Sequence, residues 1–143
     1  MKRLVKWMTS FTGDDQMAVL QFVGNMLQQR GLIGDAAEIQ QEFLQREEKG
    51  NTILSDNLAI PHTQSPLVNE AALLYLRLPL PVVWDATQEV SRFVFILLPE
   101  KAAKSDLLAM KDFFIQLADD HVMTFLASGT RQEVSKIING ELD

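Results

Sequence analysis

The chain of 143 residues has no cysteine, two histidines and a single tyrosine. Without cysteine there can be no disulfide, thiolate nucleophile or cysteine-ligated zinc, which suits a reducing compartment and makes the cytoplasm the expected location. No apolar run reaches the roughly 18 residues of a membrane span. Met1 to Phe11 mixes Lys2, Arg3 and Lys6 with Trp7 rather than carrying a continuous apolar signal segment. Neither membrane insertion nor secretion is expected. Basic charge is also scarce: 13 lysines and arginines against 19 acids leave a net charge of −6. Direct nucleic-acid binding needs a basic face and is not expected of such a chain. The sequences G-x-x-x-x-G-K-S/T, G-x-G-x-x-G and G-x-S-x-G are all missing, so nothing nominates a nucleotide cradle or a serine nucleophile. The histidines and scattered carboxylates show no metal-ligand spacing. No cofactor and no metal are therefore expected.

What is present reads as one compact domain. Asp14 or Asp15 can cap an amphipathic helix ending near Gly31, with Met17, Leu20, Val23 and Leu27 at helical spacing. A second helix is expected from Asp35, with Glu38 completing a D-x-x-E box, through Ile39, Phe43 and Leu44 toward Gly50. Short apolar runs then follow at Thr52 to Ser55, Leu58 to His62, Ala71 to Leu78 and Val90 to Leu98, all reading as strands. Pro79 and Pro81 lack amide protons, so Leu78 to Trp84 belongs to an edge or a connection. Helical spacing returns with Leu107, Met110, Phe114 and Leu117, and a Thr130-x-x-Glu133 capping box opens a last helix bearing Val134, Ile137 and Ile138. The fold class is α/β, a single-domain sandwich with a central mixed β-sheet of about four to five strands flanked by helices on both faces.

The residue best placed for chemistry is His62, in Leu58-Ala59-Ile60-Pro61-His62-Thr63. Proline locks its own φ and pushes Ile60 toward extended backbone, which holds the following imidazole in position. Imidazole titrates near neutrality and can act as a nucleophile. The residues alone leave two readings open: a phosphoacceptor, or a structural histidine in a non-catalytic protein-binding module. His121, in Asp119-Asp120-His121, reads as a solvated helix-start residue and receives no role. The run Gln45-Arg46-Glu47-Glu48-Lys49 reads as a solvated charged face. Arg46 and Asp56 could still converge on the imidazole, where the helix end meets the strand start.

Arg46-Glu47, Gly50, Asn57-Leu58-Ala59-Ile60-Pro61-His62, Pro81-Val82-Val83-Trp84 and the strand Phe93 to Leu98 together resemble the enzyme IIA domains of the fructose/mannitol family. Those domains belong to the bacterial phosphoenolpyruvate-dependent sugar phosphotransferase system. The likeness runs from about Asp15 to Gly140. It implies a IIA domain over residues 14–143, with 1–13 as a lead-in or linker. It also implies that His62 accepts a phosphoryl group from the phosphocarrier protein and passes it to a IIB domain. Arg46 falls on the family's active-site arginine, and Asp56 where a glutamate is common; their implied roles are orienting phosphate or the site, and the tautomer or the site. Such transfer needs in-line positioning and stabilised equatorial oxygens more than covalent machinery.

Asp106 is the departure. Transporting members carry a second histidine at this position, the start of the helix after the last core strand. A carboxylate there repels a phosphohistidine and donates no hydrogen bond when ionised, although a first-turn acid also suits the helix dipole. Its presence resembles the IIA-like C-terminal domains of transcriptional antiterminators and mannitol-type activators, where phosphorylation is a signal. A regulatory domain is therefore the expectation, with a free IIA subunit as the alternative. The surface from Leu58 to Ser65 and at the start of the Asp106 helix is expected to be partly apolar, matching a transient complex of roughly 1,200 Å² or less.

Overall fold

The computed structural model describes residues 1–8, 10, 13–86 and 88–141. In chain order it contains β1 (Lys2–Lys6), α1 (Gln16–Gln29), α2 (Ala36–Glu48), β2 (Ile53–Ser55), β3 (Asn57–Ala59), β4 (His62–Ser65), β5 (Ala72–Asp85), β6 (Gln88–Pro99), α3 (Lys104–Gln116), α4 (Asp120–Ser128) and α5 (Arg131–Ile138). The sheet order is β1-β5-β6-β3-β2, with β4 also pairing with β6. β6 runs antiparallel to β5 and parallel to both β3 and β4. The sheet is thus mixed, as expected, and has six strands rather than four to five.

Two differences produce the larger count. The run Leu58 to His62, read as one strand, is divided between β3 and β4 at Ile60-Pro61, because proline has no N–H to contribute to a ladder. Residues 2–6, expected only as a lead-in, form β1 and pair in parallel with Ala72 to Leu76. The charges of Lys2, Arg3 and Lys6 hid this strand, yet charged residues suit a sheet edge.

The helices cover both faces. On one, α1 and α2 pack Val19, Leu20, Val23, Leu27, Ile39 and Phe43 against Leu74, Leu76, Phe93, Phe95 and Leu97. On the other, α3, α4 and α5 pack Met110, Phe113, Val122, Leu126, Val134 and Ile137 against Leu73, Tyr75, Val94 and Ile96. Alternate residues of β5 and β6 thus feed opposite cores, which is why these strands read as continuous apolar runs. Phe43 meets Phe95 edge-on at 5.5 Å between centroids, and Trp84 lies 4.8 Å from Phe93.

The caps follow the sequence. Asp15 accepts from Ala18 N–H, Asp35 from Glu38 N–H, and Thr130 and Glu133 form the reciprocal capping box. Gly24 lets α1 and α2 approach closely, since a Cβ there would stand 3.2 Å from the Ala36 carbonyl. Pro79 and Pro81 lie where β5 leaves the ladder. Between the pairs Arg77↔Arg92 and Val82↔Val90, β5 advances 82 − 77 = 5 residues while β6 advances 92 − 90 = 2.

Two helical stripes differ from expectation. Met17 is exposed at the border of the α1 stripe, whose buried residues are Val19, Leu20, Val23, Gly24 and Leu27. In α3 the buried residues are Met110 and Phe113, leaving Leu107 and Phe114 in solvent. The 3.6-residue period admits either face when apolar residues occupy both, and Leu108 and Ile115 are exposed as well.

Replacing Phe95 by Ala should destabilise the domain by about 3–5 kcal/mol, because a fully enclosed ring leaves a cavity that neighbours fill only in part. Urea unfolding followed by circular dichroism checks this.

Candidate functional site

His62 opens β4 and is half-buried. Three backbone contacts fix the segment before it. The Ile60 N–H donates to the Thr52 carbonyl at 2.9 Å, the Pro61 carbonyl accepts from Ile96 N–H at 2.9 Å, and the Ile60 carbonyl stands 2.8 Å from His62 Nδ1. A carbonyl only accepts, so Nδ1 carries the proton in this bond and the neutral ring keeps its lone pair on Nε2. The imidazole is therefore oriented and left with one basic nitrogen.

Behind this segment stands the C-terminal end of α2. Glu47 accepts from both the backbone N–H and the hydroxyl of Thr52, a buried residue. Arg46 donates to the Gly50 carbonyl at 2.7 Å, satisfying an acceptor just beyond the helix. A continuous relay runs from Glu47 through Thr52 and Ile60 to the His62 ring. Earlier in α2, Glu42 accepts from Thr63 at 3.1 Å and from Ser65 at 2.7 Å, tying β4 to α2. Glu47 was read from the sequence as part of a solvated charged face, and Glu42 was not singled out. No local signal marked them, for the two are 47 − 42 = 5 residues apart, about 140° around the helix, and their partners lie on other segments.

The other expected residues are dispersed. One terminal nitrogen of Arg46 is engaged by the Gly50 carbonyl, which leaves the other donors of its guanidinium uncommitted. Asp56 is exposed in the turn between β2 and β3, facing α4 with Ser55, Asn57 and Thr124. Its neighbour Asn57 pairs with Val90 and His62 with Ile96. The segment is extended and its ends are 62 − 57 = 5 residues apart, up to about 17 Å at a strand rise near 3.3 Å. The expected convergence of Asp56 on His62 does not occur, because an extended chain carries the two residues to opposite ends of one line. Asp106 lies in the first turn of α3, its carboxylate 3.4 Å from the nitrogen of Met1, which precedes β1. His121 is exposed at the start of α4, where its N–H donates to Asp119. The segment Leu58 to Pro61 is buried and offers no apolar surface, while Leu107 and Leu108 near the start of α3 are exposed.

Among the described residues no group of three or more His, Cys, Asp or Glu could hold a metal, and no helix is long and apolar enough to cross a membrane.

A mixed sheet covered by helices on both faces is the fold of the IIA domains to whose solved structures this one is similar. The chain belongs to the family described as Phosphoenolpyruvate-dependent sugar phosphotransferase system, EIIA 2, whose profile matches residues 6–141. It is 29% identical over 104 residues to the PTS system 2-O-alpha-mannosyl-D-glycerate-specific EIIABC component of Escherichia coli, covering 70% of this chain and 16% of that protein. It is 21% identical over 132 residues to the PTS system fructose-like EIIA component of the same organism, covering 91% of this chain and 89% of that one. In structure it is similar to nitrogen regulatory protein IIA-Ntr of Neisseria meningitidis, with TM-score 0.70, 24% identity and coverage of 95% of this chain and 92% of that one. It is also similar to a chain of the complex of enzyme IIAMTL and phosphorylated enzyme IIBMTL of Escherichia coli, with TM-score 0.68, 18% identity and coverage of 95% and 94%. At these identities the structural likeness establishes the fold.

Replacing Glu47 by Ala should cost about 1–3 kcal/mol in urea unfolding, since Thr52 loses both its partners. It should also weaken the His62 Nδ1–H signal in nitrogen-15 spectra. Glu47→Gln, whose amide oxygen still accepts, should restore most of both.

Proposed function

We propose that His62 is the phosphoacceptor of this IIA domain, charged by the phosphocarrier protein, and that its phosphorylation serves as a signal in a transcriptional regulator. The observation that carries the phosphoacceptor reading is the bond from His62 Nδ1 to the Ile60 carbonyl, which leaves Nε2 as the nucleophile. In the reaction the Nε2 lone pair attacks the donor's phosphorus. The new N–P bond forms as the bond to the donor atom breaks, and that atom keeps the electron pair. The Nδ1 proton stays on the ring, and the Ile60 carbonyl dipole stabilises the positive charge that the phosphorylated ring acquires. Arg46, Glu47 and Thr52 act as positioning residues that keep Nε2 in line, as a loose transition state requires. The phosphocarrier docks over His62 and the first turn of α3, where Leu107 and Leu108 are exposed.

The regulatory reading rests on Asp106, an acceptor where transporting members have a second histidine. Relay to a IIB domain is the second reading. It is favoured by the match to nearly the whole length of a fructose-like EIIA component. Cytoplasmic location follows from either.

Incubation with phosphoenolpyruvate, enzyme I and the phosphocarrier protein should add one acid-labile phosphoryl group, read by intact mass. The adduct should be absent in His62→Ala. No adduct, or one that survives that substitution, would exclude His62 and favour a binding module. When a cognate IIB domain is supplied, the regulatory reading expects slow loss of label from His62. Rapid transfer to IIB would instead establish the transport subunit.

A further inference from the structure

Trp7, just past the end of β1, meets Arg77 of β5 and Arg92 of β6 on the sheet face that carries Ile96, the cross-strand neighbour of His62. Arg77 and Arg92 are direct partners across β5 and β6, a placement in which like charges repel. The Arg77 guanidinium carbon stands 4.5 Å from the centre of the Trp7 ring and that of Arg92 5.2 Å. Arg92 is only 5% exposed. Among the described residues neither arginine has a carboxylate within ion-pair distance, the one ion pair being that of Met1 with Asp106. Burying a cation without a counter-charge is costly, and here two cations share one indole in a chain of net charge −6.

The hydrogen bonds show which donors remain. One terminal nitrogen of Arg92 donates to the Tyr75 hydroxyl at 3.2 Å and to the Gly129 carbonyl at 2.8 Å. A guanidinium has five N–H groups, so its other edge is unspent. That edge is not fully enclosed: among the described residues the side-chain atoms that are both fully enclosed and without a partner are Ser55 Oγ and Trp84 Nε1. Tyr75 offers no negative charge, for its O–H donates to the Leu126 carbonyl and burial pushes its phenol up further than Arg92 pulls it down. Arg77 is half-buried, and its contact is the stacking on Trp7.

We propose that Trp7, Arg77 and Arg92 form a binding site for a phosphate dianion, either free or carried on a small phosphate ester. Two guanidinium groups that are neighbours across the strands keep donors that no carboxylate takes up, a tetrahedral oxyanion can accept from both, and two uncompensated cations call for a doubly charged ligand rather than a single carboxylate. Trp7 orders both planes before the ligand arrives, which lowers the entropy cost of binding. Arg92 lies 96 − 92 = 4 residues along β6 from Ile96, about 13 Å. An anion held here leaves the His62 ring free.

The full chain, labelled with nitrogen-15, can be titrated with sodium phosphate and separately with glucose 6-phosphate, ionic strength being held constant with sodium chloride. Saturable shifts are expected at the Trp7 indole N–H and the Nε–H groups of Arg77 and Arg92, with the tighter of the two compounds identifying the source of the phosphate. Arg77→Gln should weaken the apparent affinity about tenfold, and Arg77→Lys, which keeps the charge without the fork, less so. The remainder of each spectrum reports that the variant is folded. Shifts no larger than those produced by chloride, an equal response to sodium malonate, or an affinity unchanged in folded Arg77→Gln would overturn the proposal.

Discussion

Strand β6 is bonded along both edges, and its Phe93 to Leu97 stretch is buried on both faces, so the rest of the domain is placed relative to it. Its amides and carbonyls must all find partners because no water reaches them. β5 satisfies one edge over most of its length. The other edge is shared by β3 and β4, and the break between them falls at Pro61, the residue that brings no donor. The Pro61 carbonyl still accepts from Ile96, so the break stays in register and delivers His62 to a defined point on the sheet.

The functional geometry follows from that constraint. The Ile60 carbonyl would otherwise be an orphan acceptor at the strand break, and it takes the Nδ1 proton of His62. Thr52 holds Ile60 from the other side and is itself held by Glu47. The orientation of one exposed nitrogen thus depends on a helix end that never touches the imidazole. Each hydrogen bond in the chain contributes on the order of 1 kcal/mol, a small share individually, but losing one loosens those beyond it. The same strand carries Arg92, so one rigid element spaces the imidazole and the arginine pair.

Much of the fold was legible from short-range physics. The caps at Asp15, Asp35 and Thr130 were readable because a side-chain oxygen meets amides only two or three residues away. The interruption of the ladder at Pro79 and Pro81 was readable because the missing N–H is local, whereas the break at Pro61 was not read. β1 was not: a five-residue run with three charges becomes a strand only when β5 offers it an edge. The face of α3 was ambiguous for a related reason. Its apolar residues lie around much of its circumference, and only the neighbouring sheet decides which of them are buried.

His62 stood out by residue type and by the proline before it, and the tautomer it adopts could be seen only with the Ile60 carbonyl in place. Asp56 is close to His62 in sequence, yet the extended β3 carries it away, while one nitrogen of Arg46 bonds the Gly50 carbonyl and the rest of its guanidinium stays uncommitted. Glu42 and Glu47 looked like ordinary surface acids because their partners, Ser65, Thr63 and Thr52, lie on strands whose register a linear reading cannot assign. By itself the sequence determined the α/β class and the helix ends and singled out one imidazole as the candidate, since propensity, capping and proline act over a few bonds. Tertiary structure alone decided which carboxylates hold the site and which arginines meet across the sheet, because those contacts depend on strand pairing between distant segments.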